Sequence, residues 1–264
     1  MRALACAVLL GLIATPALAS RSTPATPAYV AVPGGTFTSV LPADGKSAAA
    51  EIAPFELRSE PVTNAQFLAF VKRHPQWQRG RIASAFADGR YLSHWAAADA
   101  LGKVALPQQP VTRVSWFAAQ AFCESEHARL PSWYEWEYAA AADATRSDAR
   151  SDPAWRERVL SWYGRPSSAP LPAVGGAADV HGVRDLNGLV WEWVDDFNAL
   201  LVSNDGREQN GADTLKFCGA GAISMQEREN YATLMRIAML SALKAADTTN
   251  NLGFRCAKSA GDAL

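Results

Sequence analysis

PVTRVSWFAAQAFCESEHARLPSWYEWEYAAAA, residues Pro110 to Ala142, contains two helix starts separated by a proline break. A short apolar segment leads to Ser115, whose side chain can cap a helix running from Trp116 to about His127. Arg129-Leu130-Pro131 interrupts that helix, because proline lacks the donor a continuing turn needs. Ser132 then opens a second helix with Glu135 three residues on, the spacing of a capping box. On the first helix Phe117, Gln120 and Cys123 fall at three-residue steps, which predicts that Cys123 shares a face with core residues.

Upstream, PVTNAQFLAFVKRHP reads as another helix. Thr63 or Asn64 is its cap, Phe67, Leu68, Phe70 and Val71 are its buried face, and Pro75 is its end. Between this helix and Gln109 no period emerges, and the stretch is expected to be irregular. Tyr29 to Val40, YVAVPGGTFTSV, alternates apolar and polar residues around Pro33-Gly34-Gly35, the pattern of a hairpin or a bent edge strand. Nine tryptophans, several spaced W-x-x-W or W-x-W, predict a large aromatic core. No G-x-G-x-x-G, P-loop, G-x-S-x-G or H-E-x-x-H occurs, so nucleotide, hydrolase and zinc-protease readings find no support.

At the amino end, residues 1–19 (MRALACAVLLGLIATPALA) have one Arg, an apolar run and an A-x-A site before Ser20, the pattern of a secretory signal peptide. Cys6 precedes the apolar run, which argues against a lipoprotein. Residues 20–28 are Ser/Thr/Pro-rich and read as a disordered lead-in, 29–259 as one domain, and 260–264 as a polar tail. An exported protein of about 245 residues is expected, with no membrane insertion once the leader is cleaved. The net charge of −1 and the absence of a basic stripe argue against nucleic acid as a partner. Three cysteines remain in the mature chain, Cys123, Cys218 and Cys256. In an oxidising compartment that odd count implies one disulfide and one spare thiol, with three possible pairings.

The motifs PVTNAQFLAFV, PVTRVSWFAAQAFC, RLPSWYEWEYAA, DLNGLVWEW, FCGAGA and NNLGFRC occur in this order over nearly the whole mature chain. As a set they resemble the formylglycine-generating enzymes, or sulfatase-modifying factors. The resemblance implies a single compact α+β domain with little regular secondary structure, distantly related to the C-type lectin fold. It also implies that Cys123 pairs with Cys256. In Asp185-Leu186-Asn187-Gly188-Leu189-Val190-Trp191-Glu192-Trp193 the carboxylates of Asp185 and Glu192 suit a hard cation. The resemblance places a structural calcium there, held by those two side chains and the carbonyls of Gly188 and Val190.

Catalysis is where the chain departs from the family pattern. Formylglycine generators hold Cu(I) with two cysteines ahead of N-L-G-F-R-C, and a soft ion of this kind requires thiolates. The corresponding segment, ISMQERENYATLMRIAMLSALKAADTTN, has no cysteine, so a Cu(I) site is not expected. Cys218 lies earlier, in the Gly-rich FCGAGA turn. Arg236 matches an Arg of the family's Y-R-x-R region and is a candidate for lining a pocket or binding a carboxylate. Cys218, Arg236 and Trp116 are the remaining candidates for a site, and no catalytic metal is identified. His74, His94, His127 and His181 show no ligand spacing, so an iron site like that of the family's ergothioneine-synthase relatives is unsupported. Two functions follow. One is an exported maturation factor, as an enzyme of oxidoreductase type, that modifies or assists a protein or peptide client without generating formylglycine. The other is a non-catalytic module that binds a peptide, glycan or metalloenzyme. The first predicts a polar cluster around Cys218, Arg236 and Trp116, the second an open aromatic groove.

Overall fold

The computed structural model describes residues 29–39, 49–166, 169–198 and 231–261. The expected leader (residues 1–19), residues 20–28 and Cys218 with the FCGAGA stretch lie outside the described residues.

β1 (Tyr29–Val32), β4 (Phe55–Arg58) and β7 (Ala257–Ser259) form an antiparallel sheet in the order β1-β4-β7. Its register sets Tyr29 opposite Arg58 and Leu57 opposite Ala257, so the two ends of the domain are joined in one sheet. β2 (Gly35–Thr38) pairs with β3 (Ala49–Ile52) as a separate antiparallel ribbon. Of the two readings of YVAVPGGTFTSV, the bent strand describes the chain. β1 and β2 pair with different partners, and the bend between them uses positive φ angles of 70° at Gly34 and 135° at Gly35. A Cβ on Gly34 would stand 2.2 Å from the Ile52 carbonyl oxygen, so no larger residue fits there.

The helices begin where their caps do. Thr63 caps α1 (Asn64–Arg73), with the Gln66 side chain returning to the Thr63 amide, and Phe67, Phe70 and Val71 are buried beneath it. Leu68 is only half-buried. Ser115 caps α2 (Trp116–Glu124), which ends three residues short of the expected His127. Its buried face is Ala118, Ala119, Phe122 and Cys123, while Phe117 and Gln120 are half-buried, because the 3.6-residue period brings the three-residue series onto the core face only at Cys123. Ser132 and Glu135 form the capping box of α3 (Trp133–Ala140). Two further helices have no counterpart in the sequence reading: α4 (Pro153–Tyr163), capped by Asp152, and α5 (Tyr231–Ser241). The expected irregular stretch contains a single 3-10 turn, Pro75–Trp77, and otherwise turns and isolated bridges.

The core is one cluster built on rings. Phe67 contacts Phe70, Trp95, Phe122 and Phe254, with centroids 5.4 to 6.2 Å apart. Cys123 and Cys256, both fully buried beside this cluster, have Sγ atoms 1.97 Å apart and Cα atoms 5.5 Å apart.

Candidate functional site

Strand β5 (Trp191–Glu192) runs parallel to β6 (Leu252–Gly253), with Glu192 paired to Gly253. Alternation along W-E-W separates the three side chains. Trp193 donates its indole N–H to the Val114 carbonyl at 3.0 Å, Trp191 meets the rings of Trp162 and Tyr163, and Glu192 is fully buried.

Arg255 satisfies the Glu192 carboxylate. Its Nε lies 3.1 and 2.9 Å from the two carboxylate oxygens and its Nη2 lies 2.9 Å from Oε1. The Trp136 indole donates to Oε2 at 2.9 Å. The other Arg255 donors reach the carbonyls of Arg58, Ser59 and Arg184, so this guanidinium joins the β4 end, the loop before Asp185 and β5. Arg236, on α5, donates Nη2 to the Glu192 carbonyl and stacks on Trp136, 3.4 Å from the ring centroid. Burial pushes the Arg236 guanidinium down to about 10, still cationic at neutral pH. A second buried carboxylate, Glu137, accepts from the Trp133 indole at 2.9 Å and from Ser39 at 2.5 Å. Trp133, Trp136 and Glu137 thus all project from the face that the α3 capping box orients.

A narrow cavity of about 30 Å³ lies between α3, α4 and α5, lined by Trp136, Tyr163 and Ala232 among others. It shares Ala140, Trp155, Val159 and Asn187 with a wider cleft of about 350 Å³, whose walls include Asp143, Asp179 and Asp185.

The sequence candidates are distributed differently from the expectation. Arg236 is in the buried cluster, whereas Trp116 donates to the Val194 carbonyl at 3.0 Å and packs on Phe117 and Phe197. None of the contacts of the described residues links the two, and Cys218 lies outside those residues. The calcium set does not fit a shared cation. Glu192, which was to supply one carboxylate, has both oxygens engaged by Arg255 and Trp136 in a fully buried position. Asp185, at a positive φ of 60°, accepts from the amides of Gly175 and Gly176. Gly188 keeps the expected turn, with φ 109°, and Val190 is fully buried. Motif spacing cannot reveal a guanidinium 63 residues away that takes the carboxylate. Treatment with a chelator is therefore expected to move the melting temperature by less than about 1 °C, since only a native-state ligand stabilises by mass action. A fall of several degrees that added calcium reverses would contradict this arrangement.

Among the described residues, no group of three His, Cys, Asp or Glu side chains is placed to hold a metal. His94 is packed near Arg79 and Arg113, with Nδ1 buried and unpaired, and burial followed by those two cations pushes its imidazole down to about 4. An unfolded histidine takes a proton near pH 6.5, so between pH 6.5 and 4 the unfolded chain binds more protons. Stability should be full above pH 6.5 and fall by roughly 1 to 2 kcal/mol as the pH drops to 4, after a discount for partial exposure. Urea melts of wild type and His94→Gln across that window test it. The variant should lose this part of the slope, and an unchanged slope would remove His94 as its source.

Comparison with known proteins places these features in a family. The family model for the sulfatase-modifying factor enzyme 1-like domain matches residues 15–260, and the chain belongs to that family. A formylglycine-generating enzyme of Streptomyces coelicolor is 29% identical over 308 residues, covering 93% of this chain and 95% of the relative. The inactive C-alpha-formylglycine-generating enzyme 2 of mouse is 29% identical over 280 residues, covering 89% and 87%. Among solved structures, PvdO from Pseudomonas aeruginosa superposes with a TM-score of 0.48 at 18% identity, over 88% of this chain and 94% of that one.

The sequence reading missed Tyr163, Glu137 and the role of Arg255. A signal for one of them, Glu137, was present. W-Y-E-W-E places Trp133, Trp136 and Glu137 at i, i+3 and i+4, one helical face with a carboxylate among indoles.

Proposed function

We propose that this protein is an exported maturation factor that engages a protein or peptide client and does not generate formylglycine. The observation that carries the reading is a sequence one. The chain matches the family along residues 15–260, yet it has no cysteine between Cys218 and Cys256. Two thiolates are the natural grip for Cu(I), and Cys218 supplies one at most if Cys123 and Cys256 are consumed by each other. A relative named as inactive supports the reading that a chain of this family need not generate formylglycine. The leader supports export, and among the described residues no helix is long and apolar enough to cross a membrane.

Two measurements test the proposal. Incubated with copper, oxygen and reductant, the protein should leave a Cys-x-Pro-x-Arg peptide at its starting mass, and conversion to the aldehyde would return it to the formylglycine generators. In the source organism, deletion of the gene should change the mass or abundance of at least one exported protein, with restoration on complementation. An unchanged exported proteome would remove the client. Binding without modification is the second reading, and the wider cleft of about 350 Å³, with Trp155 in its wall, favours it. There the client's abundance responds to the deletion while its mass does not.

A further inference from the structure

The loop between the 3-10 turn and α2 carries positive charge that no carboxylate answers. Arg79 donates Nη1 to the carbonyls of Leu92 and Trp95, at 3.1 and 3.0 Å, and Arg113 donates Nη1 to the Ser93 hydroxyl at 2.6 Å. Both guanidiniums thus meet one short turn, Leu92 to Trp95, at residues that flank His94. Their Nε and Nη2 donors have no partner among the described residues. The carboxylates of residues 79–113 are Asp88 and Asp99. Asp88 is taken up by Arg90 and the Thr248 hydroxyl, and among the described residues no ion pair joins Asp99 to either guanidinium. The His94 imidazole, pushed down to about 4 by burial and then by Arg113 and Arg79, adds no further charge at neutral pH.

The backbone is strained to hold this arrangement. Leu92 and Arg113 have φ angles of 46° and 54°, in the left-handed region that side chains with a Cβ rarely adopt. Leu92 donates its amide to the Arg113 carbonyl at 2.9 Å, and the Arg113 amide donates to the Thr249 carbonyl at 2.8 Å. Such conformations persist where the surrounding structure fixes them, and they cluster at ligand clamps. Here one left-handed residue starts the turn and the other sends its guanidinium to it. Ser93 is exposed, while Arg79, His94 and Arg113 are half-buried, so the charges reach solvent from a surface that screens them less than open water does.

We propose that this turn binds a tetrahedral dianion, a phosphate group, through the Arg79 and Arg113 guanidiniums and the Ser93 hydroxyl. Two unanswered cations match a doubly charged group, which a carboxylate only half supplies, and a guanidinium presents paired N–H donors to two oxygens of one phosphate. Ser93 accepts from Arg113 and keeps its own proton for another oxygen. The group is either the free ion or a monoester at the end of a small ligand. The inference is independent of whether a client is modified.

The test titrates the full mature chain, labelled with nitrogen-15, with inorganic phosphate and follows arginine Nε–H resonances, with sodium chloride at matched ionic strength as control. The Arg79 and Arg113 resonances, assigned from their loss in Arg79→Gln and Arg113→Gln, are expected to shift saturably with phosphate and not with chloride. Glycerol 3-phosphate separates the sources. Saturation by phosphate alone assigns the site to the free ion, and saturation by the ester as well extends it to monoesters; either upholds the proposal. Acetate, the single-charge control, should bind at least about tenfold more weakly than phosphate. Followed at Arg79, Arg113→Gln should weaken phosphate binding about tenfold or more, the worth of hydrogen bonds to a charged group, and Ser93→Ala, at an exposed position, should weaken it several-fold. No saturable shift with phosphate or the ester would overturn the site, as would equal shifts with chloride, acetate binding as tight as phosphate, or wild-type affinity in either variant. Arg79 and Arg113 would then serve only to brace the turn.

Discussion

Glu192→Gln is expected to destabilise the protein by about 3–5 kcal/mol, the usual penalty for removing one partner of a buried ion pair. The substitution is nearly isosteric, so packing is kept and the loss is electrostatic. Arg255 would remain fully buried with a charge that no carboxylate answers, beside a second buried cation, Arg236. The consequences extend beyond β5, because Arg255 also holds the carbonyls of Arg58, Ser59 and Arg184. A double substitution, Glu192→Leu with Arg255→Met, separates charge from architecture. It removes both ions, and it should be less destabilised than Glu192→Gln even though three carbonyls lose their donor. Denaturant unfolding of the single and double variants measures this. A Glu192→Gln protein within about 1 kcal/mol of wild type would show that water or another charge compensates Arg255.

What could be read from the sequence follows the range of the interactions. The capping boxes at Thr63 and Ser132 are contained within four residues, so T-x-x-Q and S-x-x-E announce the starts of α1 and α3. Asp152-Pro153 announces α4 just as locally, with a cap followed by proline at the first helical position, yet W-R-E-R-V lacks the apolar stripe by which the other helices were recognised. The paired sets that decide the site are long-range. Arg255 and Glu192 are 63 residues apart, and Arg236 and Glu192 are 44 apart. A carboxylate beside a turn has the same local pattern whether its partner is a cation from solution or a guanidinium from another strand, so the calcium expectation at Asp185 and Glu192 followed from chemistry that the motif alone leaves undivided. Arg236 could be named as a candidate from its motif, but its neighbours Trp136 and Tyr163 come from α3 and α4, and only the tertiary structure brings those helices to α5.

The second large effect concerns Cys123 and Cys256. A bond between residues 133 apart closes a long loop and removes roughly 4 to 5 kcal/mol of unfolded-state entropy in the simplest chain model, an upper figure because denatured chains retain structure. Cys256→Ala should therefore lower stability by several kcal/mol, and Cys123→Ala by a similar amount. The double variant should be little worse than either, because the cross-link can be lost only once. Burial adds a kinetic expectation. Both residues are fully buried, and the backbone on either side is held by Arg58 donating to the Cys256 carbonyl and by the paired amides and carbonyls of Arg129 and Ala257. A reductant cannot reach the sulfurs without opening of this region, so the reduction rate in native buffer should follow the rate or population of opening rather than thiol strength alone. Mass mapping of non-reduced peptides identifies the pair. Recovery of Cys218 linked to either cysteine would break the pairing, would free a different thiol for chemistry, and would undo the alignment of NNLGFRC with the helix before Arg129-Leu130-Pro131.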